Sequence, residues 1–229
     1  MDQALILAIL AVGATVSWAQ TATPRFVAPL RPLLESMDRA KVSGSLAFLG
    51  HCDPSTPPAF PKFRAPSSTA DSLLEIARET FADDKAMKAW QGRDGTLRMM
   101  ETGVPTELLN VKISHISFEA NATAIEVIRH VILLAPEVVS FMKSHEIETP
   151  LGEGLSRGYG PSGHPIVPNH ISESMYDVTV SEALDGVLKI FPGIWVYESC
   201  PQDNGKEFVN FLFFDLQHPG LFEEHSEVR

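Results

Sequence analysis

The chain has 229 residues, 44% of them hydrophobic, enough to bury a substantial core in one large domain or two small ones. Its 18 Lys and Arg stand against 29 Asp and Glu, a net charge of −11 that repels phosphate backbones and anionic lipid. No cluster of basic residues interrupts that field along the sequence, which argues against nucleic-acid binding.

In chain order, Ala4 to Val16 is an unbroken apolar run, too short to span a bilayer. Ser17-Trp18-Ala19-Gln20 follows with small residues where a signal peptidase cleaves, so residues 1–19 are expected to be an export signal, despite Asp2 where a basic residue is usual. Residues 20–42 carry Pro24, Pro29 and Pro32 and are expected as a linker or tether, with helical character only from Leu33 to Arg39. Ser45 to Leu49, bounded by Gly44 and Gly50, predicts a buried strand. The proline-dense stretch from Pro54 to Pro66 is suited to neither a helix nor a central strand.

Ser68 with Asp71 predicts a helix start, after which Ala70, Leu73, Leu74, Ala77 and Phe81 share a face; Asp83-Asp84 closes the helix. Met87–Gln91 and Thr96–Glu101 around Gly92-Arg93-Asp94-Gly95 read as a β-hairpin, because Asp-Gly supplies the positive φ a tight turn needs. Val111 to Phe118 alternates as a strand. Thr123 with Glu126 caps a helix carrying Ala124, Val127, Ile128, Val131, Ile132 and Ala135, and Pro136 opens a second short helix to about His145. A first α+β domain is thus expected over residues 43–148.

Residues 149–170, rich in Gly and Pro, are expected as a linker and domain boundary. Ser174–Val178 predicts a strand, and Thr179-Val180-Ser181-Glu182 a full capping box. Val180, Ala183, Leu184, Val187, Leu188 and Phe191 then form a clear helical stripe, stopped by Pro192-Gly193. Ile194–Ser199, a turn at Asp203-Asn204-Gly205 and Glu207–Asp215 complete a second β-α-β-β unit over 171–216, leaving 217–229 as a tail. The expected fold class is therefore α+β: β-α-β-β modules with amphipathic helices packed on small mixed sheets.

The segment Met175-Tyr176-Asp177-Val178-Thr179-Val180-Ser181-Glu182-Ala183-Leu184-Asp185, with Gly193-Ile194-Trp195-Val196-Tyr197 after the helix, resembles the short N-terminal domain of secretins and TonB-dependent receptors. The match covers the second unit strongly and the first only by plan. The resemblance implies a β-α-β-β module in the bacterial periplasm that binds protein partners or senses ligands and carries no catalysis. The chain as a whole is similar to exported bacterial proteins that supply no activity to transfer, and no barrel or pore domain is expected after the module. The expectation is a non-catalytic periplasmic or secreted interaction or envelope-assembly module with a protein partner in the cell envelope, no nucleic acid and no membrane span after signal cleavage.

The residues that carry chemistry add little to this. Cys52 and Cys200 are the two cysteines; in an oxidising compartment they suggest one disulfide closing a long loop, stabilising by about 4–5 kcal/mol, the other reading being two buried thiols. The eight histidines lack ligand spacing, and His115 and His130 fall on or beside apolar faces, so no metal site is expected. No phosphate or dinucleotide fingerprint is present, and no cofactor is expected. Trp195, Tyr197, Phe208, Phe211 and Phe213 form a candidate partner surface if the last strands lie at an edge, and core otherwise. The alternatives in other classes are a hydrolase using His51 and Asp53, and a redox protein using Cys52 and Cys200.

Overall fold

The structure, a computed structural model, describes residues 19–50, 61–67, 72–118, 123–149, 173–202 and 205–216. In chain order the elements are helix α1 (Ala19–Ala40), strand β1 (Gly44–Leu49), helix α2 (Leu73–Thr80), and strands β2 (Met87–Gln91) and β3 (Leu97–Glu101). A 3-10 turn at Leu108–Asn110 precedes β4 (Lys112–Phe118). Helix α3 runs over Ala124–Glu126 and continues as a π-helical segment, Val127–Ile132; α4 (Pro136–Ser144) and the short β5 (Ile147–Glu148) follow. The last part comprises β6 (Glu173–Thr179), α5 (Val180–Ile190), β7 (Gly193–Pro201) and β8 (Glu207–Asp215).

The fold is α+β with mixed pairing. A six-stranded sheet has the order β2-β3-β1-β7-β8-β5, and β4 and β6 form a separate two-stranded sheet. Strand β1 is parallel to β3 on one side and to β7 on the other, which explains why its sequence is apolar rather than alternating: both of its faces are covered. Leu46, Phe48, Ile194, Val196 and Phe214 face a cluster that includes Leu30, Leu33, Leu34 and Met37 of α1 and Ala77 of α2. Ala47, Trp195, Tyr197, Val209 and Phe211 face the larger cluster beneath α3, α4, α5 and β4. Helices thus cover both faces of the large sheet.

Several local expectations match the chain. Thr123 and Thr179 both form complete capping boxes, each side chain accepting from the N–H three residues on while the Glu there reaches back. Every residue of the Val180–Phe191 stripe is buried. The hairpin forms over Met87–Glu101 with Gly95 at φ +83°. Helix α2 starts later than expected, at Ser72, whose Oγ accepts from the Glu75 N–H at 3.2 Å; Ser68 and Asp71 lie outside the described residues.

Other expectations need correction. The expected tether over residues 20–42 is helix as far as Ala40: this is α1, in which Leu30, Leu33, Leu34 and Met37 recur at helical spacing and are buried. Proline costs about 3 kcal/mol inside a helix, and α1 holds Pro24, Pro29 and Pro32; four buried Leu and Met side chains at about 1.5–3 kcal/mol each are of the size needed to offset them. The second β-α-β-β unit holds in sequence order but not as one sheet. Strand β6 pairs with β4, while β7 and β8 join β1 in the large sheet. Residues 150–170 lie outside the described residues, yet strands on either side of them share that sheet, so the expected boundary does not divide it.

Candidate functional site

Trp195, Tyr197 and Phe211 do not form a surface. They are 2%, 0% and 2% exposed, because β7 is an interior strand with β1 and β8 on its two sides. Phe208 and Phe213 are half-buried on β8, which pairs with β7 along its length and with β5 only at Glu207 and Phe208. Trp195, Tyr197 and Phe211 are therefore core, the alternative to the partner surface, and Phe213 packs against the same cluster.

At the other end of the sheet, β2 is an edge strand with β3 on one side and no strand on the other among the described residues. The bonds Gly92 N–H to Thr96 O and Thr102 N–H to Ala86 O, both 2.8 Å, fix the phase of the β2–β3 ladder. Hydrogen-bonded pairs alternate along an antiparallel ladder, so Lys88 and Trp90 bond inward to Met100 and Arg98. The amide and carbonyl groups of Ala89 and Gln91 point outward, with no backbone partner among the described residues. Trp90, 41% exposed, lies on the same face of the strand as Lys88, while Met87 and Ala89 turn toward α2. Where β2 passes the end of α2, a shallow cleft of about 530 Å³ opens, bordered by Arg78, Phe81, Asp84, Lys85, Lys88 and Trp90.

The hairpin that carries this edge is firmly held. The Asp94 carboxylate takes hydrogen bonds from the Thr96 hydroxyl at 2.6 Å and its N–H at 3.1 Å, chiefly the former holding its pKa below the usual range. From β3, Arg98 reaches Asp185 of α5 with two bonds of 2.7 Å, and the Trp195 indole N–H donates to the same carboxylate at 3.0 Å. Burial alone would lower the Arg98 pKa, but the Asp185 bonds and charge outweigh it and raise it. A bidentate pair of this kind fixes geometry as well as charge, and it binds the outer hairpin to the helix layer.

A second group of carboxylates lies where β1 and β7 end. Glu101 accepts from the Leu49 N–H at 2.8 Å, and Glu207 from the Ser199 hydroxyl at 2.7 Å and the Tyr197 hydroxyl at 3.4 Å. Glu198 is 6% exposed and packs on Gly50 so closely that a Cβ there would collide with its carboxylate. Burial pushes its pKa up, opposed by a 3.4 Å bond from the Asn210 amide. Burial likewise drives the Tyr197 hydroxyl upward, with the Glu207 charge next. Each of these groups ties strands together, and none lines the cleft beside β2.

The remaining candidates fall elsewhere. His51, Cys52 and Asp53 lie outside the described residues. Cys200 is buried on β7 opposite Phe208. His115 and His130 are exposed rather than set in core; His115 stacks on Tyr176 with ring centroids 4.7 Å apart. Among the described residues no three His, Cys, Asp or Glu side chains group as metal ligands, and no helix is long and apolar enough to cross a membrane. The β2 hairpin is legible in the sequence, but its place at the sheet edge is not. The available signal was Lys88 and Trp90 on one face of a strand too polar to be interior. No family model, curated protein or solved structure matches the chain.

Proposed function

We propose that the protein is a non-catalytic interaction module of the bacterial cell envelope, periplasmic or secreted, that binds a protein partner along the outer edge of β2. The observation that carries this reading is the row of outward amide and carbonyl groups at Ala89 and Gln91, flanked by an exposed Trp90 and a cleft. An added strand takes affinity from such main-chain groups and specificity from alternate side chains. Support for the compartment comes from the apolar run Ala4–Val16 with small residues at 17 and 19, and support for the class from the resemblance of residues 175–197 to periplasmic binding modules.

Ala89→Pro tests the reading. It removes an outward N–H and no ladder bond to β3, so the hairpin keeps its own pairing. Purified wild type is expected to retain a defined partner from a native envelope extract that Ala89→Pro does not. Equal retention by both proteins, or turnover of a substrate by the purified chain without any partner, refutes it.

A further inference from the structure

We infer that the occupant of the β2 edge is an extended, acidic segment of another protein, an inference that rests on the binding mode proposed above. Three cations surround this edge: Arg78 from α2, Lys85 from the turn before β2, and Lys88 on β2 itself. All three are exposed, and none forms an ion pair with a described residue. Of the other described cations, Arg31, Lys41, Arg64, Arg98 and Lys206 have an acidic partner, while others such as Arg93, Lys112 and Lys143 form no ion pair with a described residue; what sets Arg78, Lys85 and Lys88 apart is that they gather along one open strand edge.

The acid that borders the cleft is Asp84, and its oxygens are already engaged, Oδ1 with the Ala86 N–H at 3.0 Å and Oδ2 with the Lys62 N–H at 3.5 Å. In a chain of net charge −11 this edge is thus a local reversal of sign, and it coincides with the unpaired backbone groups. A strand laid beside β2 sends alternate side chains to opposite faces. Those on one face meet Lys88 and Trp90; those on the other meet Arg78 and Phe81. Carboxylates on both faces, with an apolar residue against Phe81 or Trp90, complete the complement. A second copy of this chain is a poorer occupant, because two-fold pairing of β2 with β2 sets the three cations against themselves.

The test uses the full chain and three dye-labelled octapeptides of alternating Val with Glu, Thr or Lys, followed by fluorescence anisotropy. The Glu peptide is expected to bind about ten-fold or more tighter than the Thr peptide, to weaken with added salt, and to exceed the Lys peptide further. Lys85→Glu/Lys88→Glu is expected to erase the preference for Glu over Thr while leaving Thr-peptide binding unchanged, and Ala89→Pro to weaken all three. Far-UV circular dichroism and the urea midpoint confirm that both variants fold. Equal binding of the Glu and Thr peptides by the wild type overturns the acidic assignment and leaves the edge reading standing. No binding of any peptide, or binding indifferent to Ala89→Pro, overturns the edge reading itself. Concentration-dependent dimers in sedimentation that Ala89→Pro abolishes identify a second copy as the occupant and overturn the inference.

Discussion

The contact between Arg98 and Asp185 is the sharpest test of how the hairpin is held, because its cost is bounded from both sides. Asp185→Ala removes two bonds of 2.7 Å to Arg98 and the acceptor of the Trp195 indole N–H. An exposed ion pair contributes about 0.2–1 kcal/mol, whereas breaking a buried one costs about 3–5 kcal/mol. The two side chains are 17% and 18% exposed, nearer the buried case, and Asp94 at 3.2 Å keeps Arg98 partly compensated. Trp195 is 2% exposed, so its N–H is stranded away from water at a further cost of about 1–3 kcal/mol. The expected loss is about 3 kcal/mol in urea unfolding. A double-mutant cycle with Arg98→Met is expected to give a coupling above about 1 kcal/mol. A loss below 1 kcal/mol, or no coupling, refutes the claim that this pair joins the outer hairpin to the helix layer.

Other outcomes follow from the same packing. Glu198 is held above its ordinary pKa of 4.5 by burial, so the stability it contributes is present below that value and is lost as pH rises through its folded pKa. Glu198→Gln is therefore expected to raise Tm at pH 7 and to flatten that loss, each kcal/mol appearing as roughly 2–4 °C; no change in the pH profile refutes it. Leu33→Ala, at a fully buried position of α1, is expected to cost about 2–5 kcal/mol in chemical denaturation, whereas a tether would lose nothing measurable. Leu49 pairs with Ser199, and the Gly50 N–H donates to the Ser199 carbonyl at 2.7 Å, so Cys52 follows in sequence two residues after a point adjacent to Cys200. Intact mass under alkylation is expected to show both cysteines protected until reductant is added; two freely alkylated thiols in the folded protein refute the bond. A fragment of residues 171–216 is expected to be unfolded by circular dichroism, since β6 loses β4 and β7 loses β1.

What was legible in the sequence is what short-range chemistry decides. The capping boxes at Thr123 and Thr179, the Asp94-Gly95 turn and the α5 stripe each depend on residues within a few positions of one another, and all stand in the structure. Pairing between distant strands leaves no such trace. Nothing local in Ser45–Leu49 says that one neighbour will be Leu97–Met100 and the other Ile194–Ser199, or that Met175 and Tyr176 will pair with β4 rather than with β7. The apolar residues on both faces of β7 were compatible with an open edge or a covered interior, and only the strand order distinguishes them. In α1, three prolines masked the spacing of Leu30, Leu33, Leu34 and Met37. The basic edge escaped for the opposite reason: Arg78, Lys85 and Lys88 come from a helix, a turn and a strand, and form no run in sequence.

The two ends of the large sheet explain why that edge has the chemistry it has. At one end β5 contributes two residues; at the other β2 contributes five, with the outward backbone groups of Ala89 and Gln91 lacking a backbone partner among the described residues. An open strand is a hazard for association with further copies, and exposed lysines are a common guard against it. Lys85 and Lys88, with Arg78 beside them, provide that guard, since like charges oppose the pairing of two such edges. Under the proposed reading the same charges attract an acidic strand, so one arrangement both discourages self-association and selects a partner. The Arg98–Asp185–Trp195 contact adds the remaining condition: with the hairpin already fixed against α5 and β7, binding requires little new ordering of this chain, and more of the interaction energy is expressed as affinity.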